Sequence, residues 1–495
     1  MKLIIASLLL VTCNLSLANS LAMPAFARED LAHEINESDF INISKEVREF
    51  LSQDILSPDL TDKEIIEKLQ LFLGPEFSFL SESIQVKDLK INNSHKAPLS
   101  SAQFNFDSSH SIHDLETYVK NRIGHGTYAA LKKQNTKSIV IGGTTADLNT
   151  YLEQIFHHGI VQIQKLPCLY EKWGLSKYYV VNLTTKTTAL IWIVPPSLQY
   201  VRHYAQLFAF TKSSTSHYFL DTKAQDHLET QVKVNAEKVL SKYKIDHIAF
   251  GYNSLWAKNI SLVDSNWELK EQSHIDNLAF GASFKILTIQ NKITGSLQNI
   301  ALLASDQTVW GEIVPLHLKA FYNDNLKSVT FMGSAGSLSS GLNPYDISVP
   351  AEFRVSGQKI NQLNSVQKIY GYSLPQFNNL VYWDSRHGHT YSPIQQNSRY
   401  LKNLLNKKIG TVDVEQSLVA ATVENYNSTH THQIKFNAIN VVTDKPISLI
   451  LKEKTSSDLD RLDLDQKAKA RGMAVQLALM SILDVRQKIK CTALF

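Results

Sequence analysis

Short β-branched runs that stop on glycine or proline, each followed by a helix-length segment, set the tightest limit on how this chain folds. Ser138, Ile139, Val140 and Ile141 form such a run and end on Gly142-Gly143. Leu148, Leu152 and Ile155 then fall on one helical face. Tyr178 to Leu183 and Ala189 to Val194 are strand-like, joined through a Thr-rich turn and closed by Pro195-Pro196. Val201, Tyr204, Leu207 and Phe208 repeat at helical spacing before another strand at Tyr218 to Leu220. After residue 240 the rhythm resumes. Strands are expected at His247 to Phe250, Phe284 to Ile289, Ile300 to Leu303, Ser328 to Met332, Ile347 to Val349 and Ile439 to Val442. Helices are expected at Glu312 to Tyr322, at Glu415 to Tyr426, and in a long amphipathic stretch from about Leu459 to Ile489. Short apolar strands alternating with helices bury themselves only in a layered α/β sheet.

At 495 residues the chain is too long for one ordinary domain, and two or three folding units are expected. Residues 1–20 read as a secretory signal: Lys2, then the apolar stretch Leu3 to Val11, then small residues offering cleavage after Ala18 or Ser20. The protein is therefore expected to be exported, periplasmic or secreted. A lipoprotein would use Cys13, but Thr12 stands where a smaller residue is wanted. Residues 28–110 read as a helical segment that stops at Gly74-Pro75, followed by a Ser/Asn-rich linker. Residues 111–240 read as a smaller α/β domain and 241–495 as a larger one. A net charge of +4 spread over the chain, with no basic block, does not point to nucleic acid. No later segment reaches the ~18 apolar residues of a membrane span. The run Asp458, Asp460, Asp463, Asp465, balanced by Arg461, Lys467, Lys469 and Arg471, reads as a solvated helix face. Cys168 and Cys491 remain after cleavage, and their pairing is left open by sequence.

Three segments of the larger unit carry chemistry. Gly333-Ser334-Ala335-Gly336 follows a strand, where glycines let backbone N–H groups and the Ser334 hydroxyl approach an anion or a sugar; the plain alternative is a turn. Val412-Asp413-Val414-Glu415 opens a helix, and the plain alternative for its acids is capping. Thr443-Asp444 closes a buried strand, and the plain alternative is a surface turn into Lys445-Pro446.

In this order and spacing the three segments resemble the nucleoside phosphorylase and nucleosidase superfamily over about residues 240–490. Val414-Glu415 stands for that superfamily's Met-Glu pair and Thr443-Asp444 for its Ser-Asp pair. Asp346-Ile347 resembles its Gly-Asp-Ile strand start. The resemblance implies a three-layer phosphorylase-like domain with a mixed central sheet in the carboxy-terminal half, preceded by the smaller α/β domain. It implies cleavage of the N-glycosidic bond of a purine nucleoside or related compound. Asp444 would be the general acid to the departing base, needing a water-poor site to keep its proton. Glu415 would hold the ribose hydroxyls and favour the cationic transition state, Val414 would pack beneath the ribose, and Gly333 and Ser334 would hold phosphate or position water. It implies a small-molecule nucleoside substrate, no bound cofactor or metal, phosphate as a co-substrate in one branch, and a homo-oligomer.

Two departures stand out. Phe331 occupies the place where one branch carries a phosphate-gripping Arg, which tilts the expectation toward hydrolysis. Gly251-Tyr252-Asn253-Ser254 follows the first strand of this unit without the carboxylate that nucleosidases use there to activate water. Glu312 and Asp306 are acids near enough in sequence to be considered, with only position to recommend them. The rival functions are therefore a nucleoside-binding module with a degenerate site, and an interaction protein worked by the amino-terminal unit. Histidines at 157/158, 387/389 and 430/432 lack a metal-ligand spacing and read as solvated or loop residues. Trp383, His387 and Tyr391 are the aromatics from which a base-stacking group would come.

Overall fold

The computed structural model describes residues 83–84, 99–105, 119, 123, 128, 131–132, 136–156, 160–165, 177–183, 188–212, 215–275, 278, 282–305, 311–366, 381–392, 398–447 and 464–484. The signal segment, both late cysteines, the helix expected within 28–75 and Asp306 lie outside them.

The first unit contains β1 (Ser83–Ile84), β2 (Leu99–Asn105), β3 (Thr136–Gly142), α1 (Leu148–Phe156), β4 (Ile160–Lys165), β5 (Lys177–Leu183), β6 (Thr188–Val194), α2 (Leu198–Lys212) and β7 (Thr215–Asp221). Its sheet runs β1-β4-β5-β6-β3-β7-β2, with β6, β3 and β7 parallel and the outer pairings antiparallel. β2 lies in the stretch read as linker; its pairing with β7 along its whole length makes it a sheet edge instead. Alternation along β3 and β6 sorts their apolar residues to opposite faces. Ile139, Ile141, Ile191 and Ile193 meet Leu148, Tyr151 and Leu152 of α1. Val140, Leu190, Trp192 and Val194 meet Val201, Ala205 and Phe208 of α2.

A long helix, α3 (Thr222–Leu240), capped by Asp221, leads to the second sheet. There follow β8 (His247–Phe250), α4 (Asn253–Val263), β9 (Trp267–Ile275), β10 (Ala282–Asn291), β11 (Leu297–Ser305), α5 (Ile313–Ala320) and β12 (Ser328–Ser337). Next come β13 (Ile347–Val355), β14 (Gln358–Ile360), β15 (Val381–His389), α6 (Ser398–Asn406), β16 (Thr411–Asp413), α7 (Gln416–Thr429), β17 (Lys435–Asp444) and α8 (Leu464–Ile482). This sheet is mixed and lies between two helical layers. Val239 of α3, Leu318 of α5 and Val419 of α7 pack beneath one face, and Trp256 of α4 with Leu477 of α8 beneath the other. In α8 the small residues Ala470, Ala474 and Ala478 are fully buried, so the helix lies close against α4 and the sheet. Arg471, read as part of a solvated face, is instead buried, its guanidinium 5.1 Å from the centre of the Tyr252 ring.

The decisive feature of this sheet is that it branches. β12 pairs with β17, β17 with β13, β13 with β15, β15 with β16, and β16 returns to β12, so five strands close on themselves. From the same β12 an open sheet continues through β8, β11 and β10 to β9. β12 is therefore both a wall of the closed ring and the central strand of the whole unit.

Candidate active site

The register around β12 builds the site. β8 runs parallel to β12 and leaves it at Phe250, opposite Phe331. β16 arrives antiparallel from the other end, with Thr411 opposite Ser337 and Val412 opposite Gly336. Between those two contacts, Met332 to Ala335 have no strand partner on that edge among the described residues. The segment after β8 and the segment after β16 point toward each other across this gap. Ligands of open α/β sheets bind at such breaks beyond strand ends.

Tyr252, just past β8, donates its hydroxyl to the Gly333 carbonyl at 3.0 Å and holds a left-handed φ of 55°. Gly251 has φ 103°, and a Cβ there would meet the Met332 carbonyl oxygen at 2.1 Å, so only glycine passes so close to β12. The Asn253 side chain donates to the Leu303 carbonyl at 2.6 Å. Tyr252 and Asn253 thus have structural partners.

Across the gap, the helix-capping alternative for the two acids resolves in favour of Asp413. Its carboxylate accepts the N–H of Glu415 at 3.1 Å and of Gln416 at 3.0 Å, starting α7. The Glu415 side chain makes no cap; its Oε1 accepts the Gly311 N–H at 3.4 Å. Burial, and next the negative charge of Asp413, push the Glu415 carboxyl well above the usual carboxylate range, while the N–H groups of Gly311 and Val414 pull the other way. Val414 is buried beside it.

On the other edge of β12, Asp444 ends β17 opposite Gly336. It is 2% exposed, which rules out the surface turn, and Thr443 donates its hydroxyl to Asp444 Oδ1 at 3.2 Å. A Cβ at Gly336 would sit 3.1 Å from Asp444 Oδ2, so the glycine admits the carboxyl to the strand. Ser334 is exposed and lies opposite Val441; Gly333, half-buried, lies opposite Asn440. The Gly-Ser segment, expected as a strand exit, is the last half of β12 itself. Its backbone runs in the ladder with β17 on one edge. Phe331 is a core residue whose ring centre is 6.5 Å from that of Phe250, so nothing at that position grips phosphate.

The histidines at 387 and 389, read as loop or solvated, are buried on β15 inside this architecture. His387 Nε2 is 2.9 Å from Asp413 Oδ1 and its Nδ1 is 2.9 Å from Thr411 Oγ1, with Asn440 Nδ2 at 3.3 Å. Asn440 in turn donates to Gln416 Oε1 at 2.8 Å. His389, opposite Asp413 in register, is 3% exposed and has no aligned hydrogen bond at either ring nitrogen. Burial lowers its pKa to about 4, so the ring is neutral near pH 7. Gln416 Nε2, Ser417 Oγ and Asn440 Oδ1 are also buried without a partner. Each such group costs ~1–3 kcal/mol, and their collection at the head of α7 needs an explanation that apolar packing cannot give. Of the aromatics considered for base stacking, Trp383 packs on the apolar core and His387 is taken up by Asp413; Tyr391 is 48% exposed, its ring edge-on to His389 at 4.8 Å. His432 bonds the Leu326 carbonyl, and His430 is exposed. Among the described residues no group of three or more His, Cys, Asp or Glu side chains is arranged to hold a metal, and no helix is long and apolar enough to cross a membrane.

A cleft of about 410 Å³ opens elsewhere, between α3, α5 and α7, with Ser197, Glu312, Lys319 and Thr422 in its lining. None of Ser334, Glu415 and Asp444 borders it.

By sequence, no protein-family model and no curated protein matches the chain. Among solved structures it is similar to a protein of Weissella paramesenteroides ATCC 33313 assigned as a methylthioadenosine nucleosidase, with TM-score 0.34 and 13% identity over 48% of this chain and 99% of that one. A futalosine hydrolase mutant of Helicobacter pylori strain 26695 gives TM-score 0.33 and 13% identity over 48% and 98%. Helicobacter pylori MTAN gives TM-score 0.33 and 12% identity over 48% and 99%. Each likeness is to nearly the whole of the other protein. It concerns the fold of about half the chain, and the chemistry rests on this chain's own geometry.

Proposed function

We propose that the second unit cleaves the N-glycosidic bond of a purine nucleoside or close relative. The observation that supports this is the register of β12, whose two edges meet the two segments that carry these acids. Gly336 of β12 pairs with Val412 on one side, two residues ahead of Val414-Glu415, and with Asp444 on the other. A nucleoside lying along Gly333 to Gly336 would meet Glu415 at its sugar and Asp444 at its base. Glu415, freed from capping by Asp413, would accept hydrogen bonds from the ribose hydroxyls. Binding would then favour its charged form, supplying negative charge where the sugar becomes cationic. Asp444 would protonate the departing base. His389, neutral and with one ring nitrogen turned to the Val414 backbone, would offer the other to the same bound nucleoside. Phe331 in the core speaks for water rather than phosphate as the nucleophile.

The second reading is a binding module that keeps the pocket without turnover. It is favoured by the segment after β8, which brings Tyr252 and Asn253 and no carboxylate to the gap. Incubation with adenosine, inosine and methylthioadenosine, with and without phosphate, decides. Free base in both conditions supports a nucleosidase and free base only with phosphate a phosphorylase. Binding without release leaves the module, and neither binding nor release removes both readings. Export and self-association stand as proposals alongside.

A further inference from the structure

The polar contacts between the two units converge on Gln199 in the first turn of α2, a residue 5% exposed. Its Oε1 accepts the Glu312 N–H at 2.9 Å and its Nε2 donates to the Tyr391 carbonyl at 3.1 Å. Glu312 answers with its carboxylate, which accepts the Ser197 hydroxyl at 2.6 Å and the Gln199 N–H at 3.2 Å. One turn further along α2, His203 Nδ1 lies 2.8 Å from Ser392 Oγ. The amino-terminal unit therefore grips two short segments of the other, Gly311-Glu312 and Tyr391-Ser392. They are the segments that frame the proposed site: Gly311 donates its N–H to Glu415, and Tyr391 stands against His389. Gly311 has φ 58°, and a Cβ there would sit 2.3 Å from Gln199 Oε1, so the two units meet through a glycine-only approach. Glu312, an acid with only position to recommend it in sequence, serves this clasp, and its side chain is turned to α2.

We propose that the amino-terminal unit is a working part of the site, with Gln199 as a positioning residue that holds Gly311 where its N–H orients the Glu415 carboxylate. The inference rests on Glu415 gripping the sugar hydroxyls. The clasp acts through Glu415, so its loss should weaken selection for those hydroxyls and leave the rest of the site intact.

The full chain is compared as wild type, Gln199→Ala, Glu415→Gln and the double variant, on adenosine and on 2′,3′-dideoxyadenosine. Gln199→Ala is expected to lower kcat/KM for adenosine ~10-fold, to leave the dideoxy substrate nearly unchanged, and to add nothing in the Glu415→Gln background, as coupled residues behave. Equal losses on both substrates, or losses that add in the double variant, overturn the proposal. Hydrogen exchange of the 311–314 segment in wild type and Ser197→Ala gives a second readout free of turnover. Faster exchange in the variant is expected, and unchanged exchange overturns the clasp. A wild type that neither binds nor cleaves nucleosides refutes the proposed function, while the exchange result still decides whether α2 holds Gly311.

Discussion

Both units carry parallel strands whose ends break toward opposite faces, yet they treat that crevice in opposite ways. In the first, the loops after β3 and β6 lead to α1 and α2 on opposite faces, the arrangement that opens a ligand crevice in many α/β sheets. Here it is stopped up. A Cβ at Gly143 would meet the Tyr151 hydroxyl at 2.4 Å; that hydroxyl donates to Asp221 Oδ2 at 2.8 Å and accepts the Thr144 N–H at 3.2 Å. Asp221 also caps α3. In the second unit the segment after β16 carries Glu415 toward the gap on one edge of β12, Asp444 stands on the other edge, and Gln416, Ser417 and Asn440 hold buried polar atoms without partners. A crevice whose polar groups satisfy one another is architecture. One bordered by buried polar atoms without partners, at ~1–3 kcal/mol each, is the better candidate for binding.

The sharpest test of that contrast is Asp444→Asn. If Asp444 hands a proton to the base, kcat should fall ~10²–10⁴-fold while nucleoside binding persists. Full turnover in the variant would remove Asp444 from the mechanism and leave the crowding at Gly336 as packing.

Glu415→Gln should cost ~10²-fold in kcat/KM and yet stabilise the empty protein. The sign follows from linkage: the native carboxyl holds its proton to higher pH than the unfolded one, so above the ordinary carboxyl range the unfolded state releases a proton the native state keeps. Wild-type stability therefore falls as pH rises through that window, and the glutamine removes the loss. Thermal melts from pH 5 to 8 should show the variant gaining ~2–4 °C at the upper end, the response to about 1 kcal/mol in a domain of 150–250 residues. A variant that is less stable and equally active would mean that Glu415 is structural.

His389 works in the other direction. Its native pKa of about 4 lies below the ordinary histidine value, so stability is present at neutral pH and lost as pH falls from ~6.5 toward 4. His247 and His317, lowered to about 4 by burial, lose stability over the same range. His389→Phe should lessen that acid sensitivity and weaken nucleoside binding ~10-fold, the worth of one ~1.4 kcal/mol hydrogen bond. Unchanged binding, measured by calorimetry, would turn the His389 imidazole into a packing residue.

Sequence disclosed the strands that obey simple rules and concealed those that do not. β3, β6 and β8 are apolar runs buried on both faces, so hydrophobicity alone marks them. β15 reads Val-Tyr-Trp-Asp-Ser-Arg-His-Gly-His and looks like a loop, because the closed ring lodges polar side chains such as His387 and breaks the apolar alternation. The glycines of β12 suggested a turn because pairing with β17 and β16, a long-range effect, overrides local preference there. Glu415 and Asp444 are named by the resemblance of their segments to the superfamily's Met-Glu and Ser-Asp pairs. That Asp413 does the capping was hinted only by its place three residues before Gln416, a cap-like interval. Gln199 was beyond reach, since its partners lie 113 and 192 residues away.

The smallest expected effect on activity belongs to Tyr151→Phe, and it tests the comparison from the closed side. Removing the hydroxyl leaves Asp221 Oδ2 and the Thr144 N–H without their partner while the ring stays packed against β3 and β6. Burial pushes the Tyr151 phenol far above its usual range, so it donates as a neutral hydroxyl at every pH the protein would meet. The loss should be ~1–3 kcal/mol of stability, readable in urea unfolding, with no change in kcat or KM for any nucleoside. Unaltered stability would show that water replaces the hydroxyl and that the crevice is less tightly closed than its hydrogen bonds imply. A change in nucleoside kinetics would mean more: the plugged crevice would be coupled to the open one, with a polar route between the units through Ser197 and Gln199 of the α2 start to Glu312.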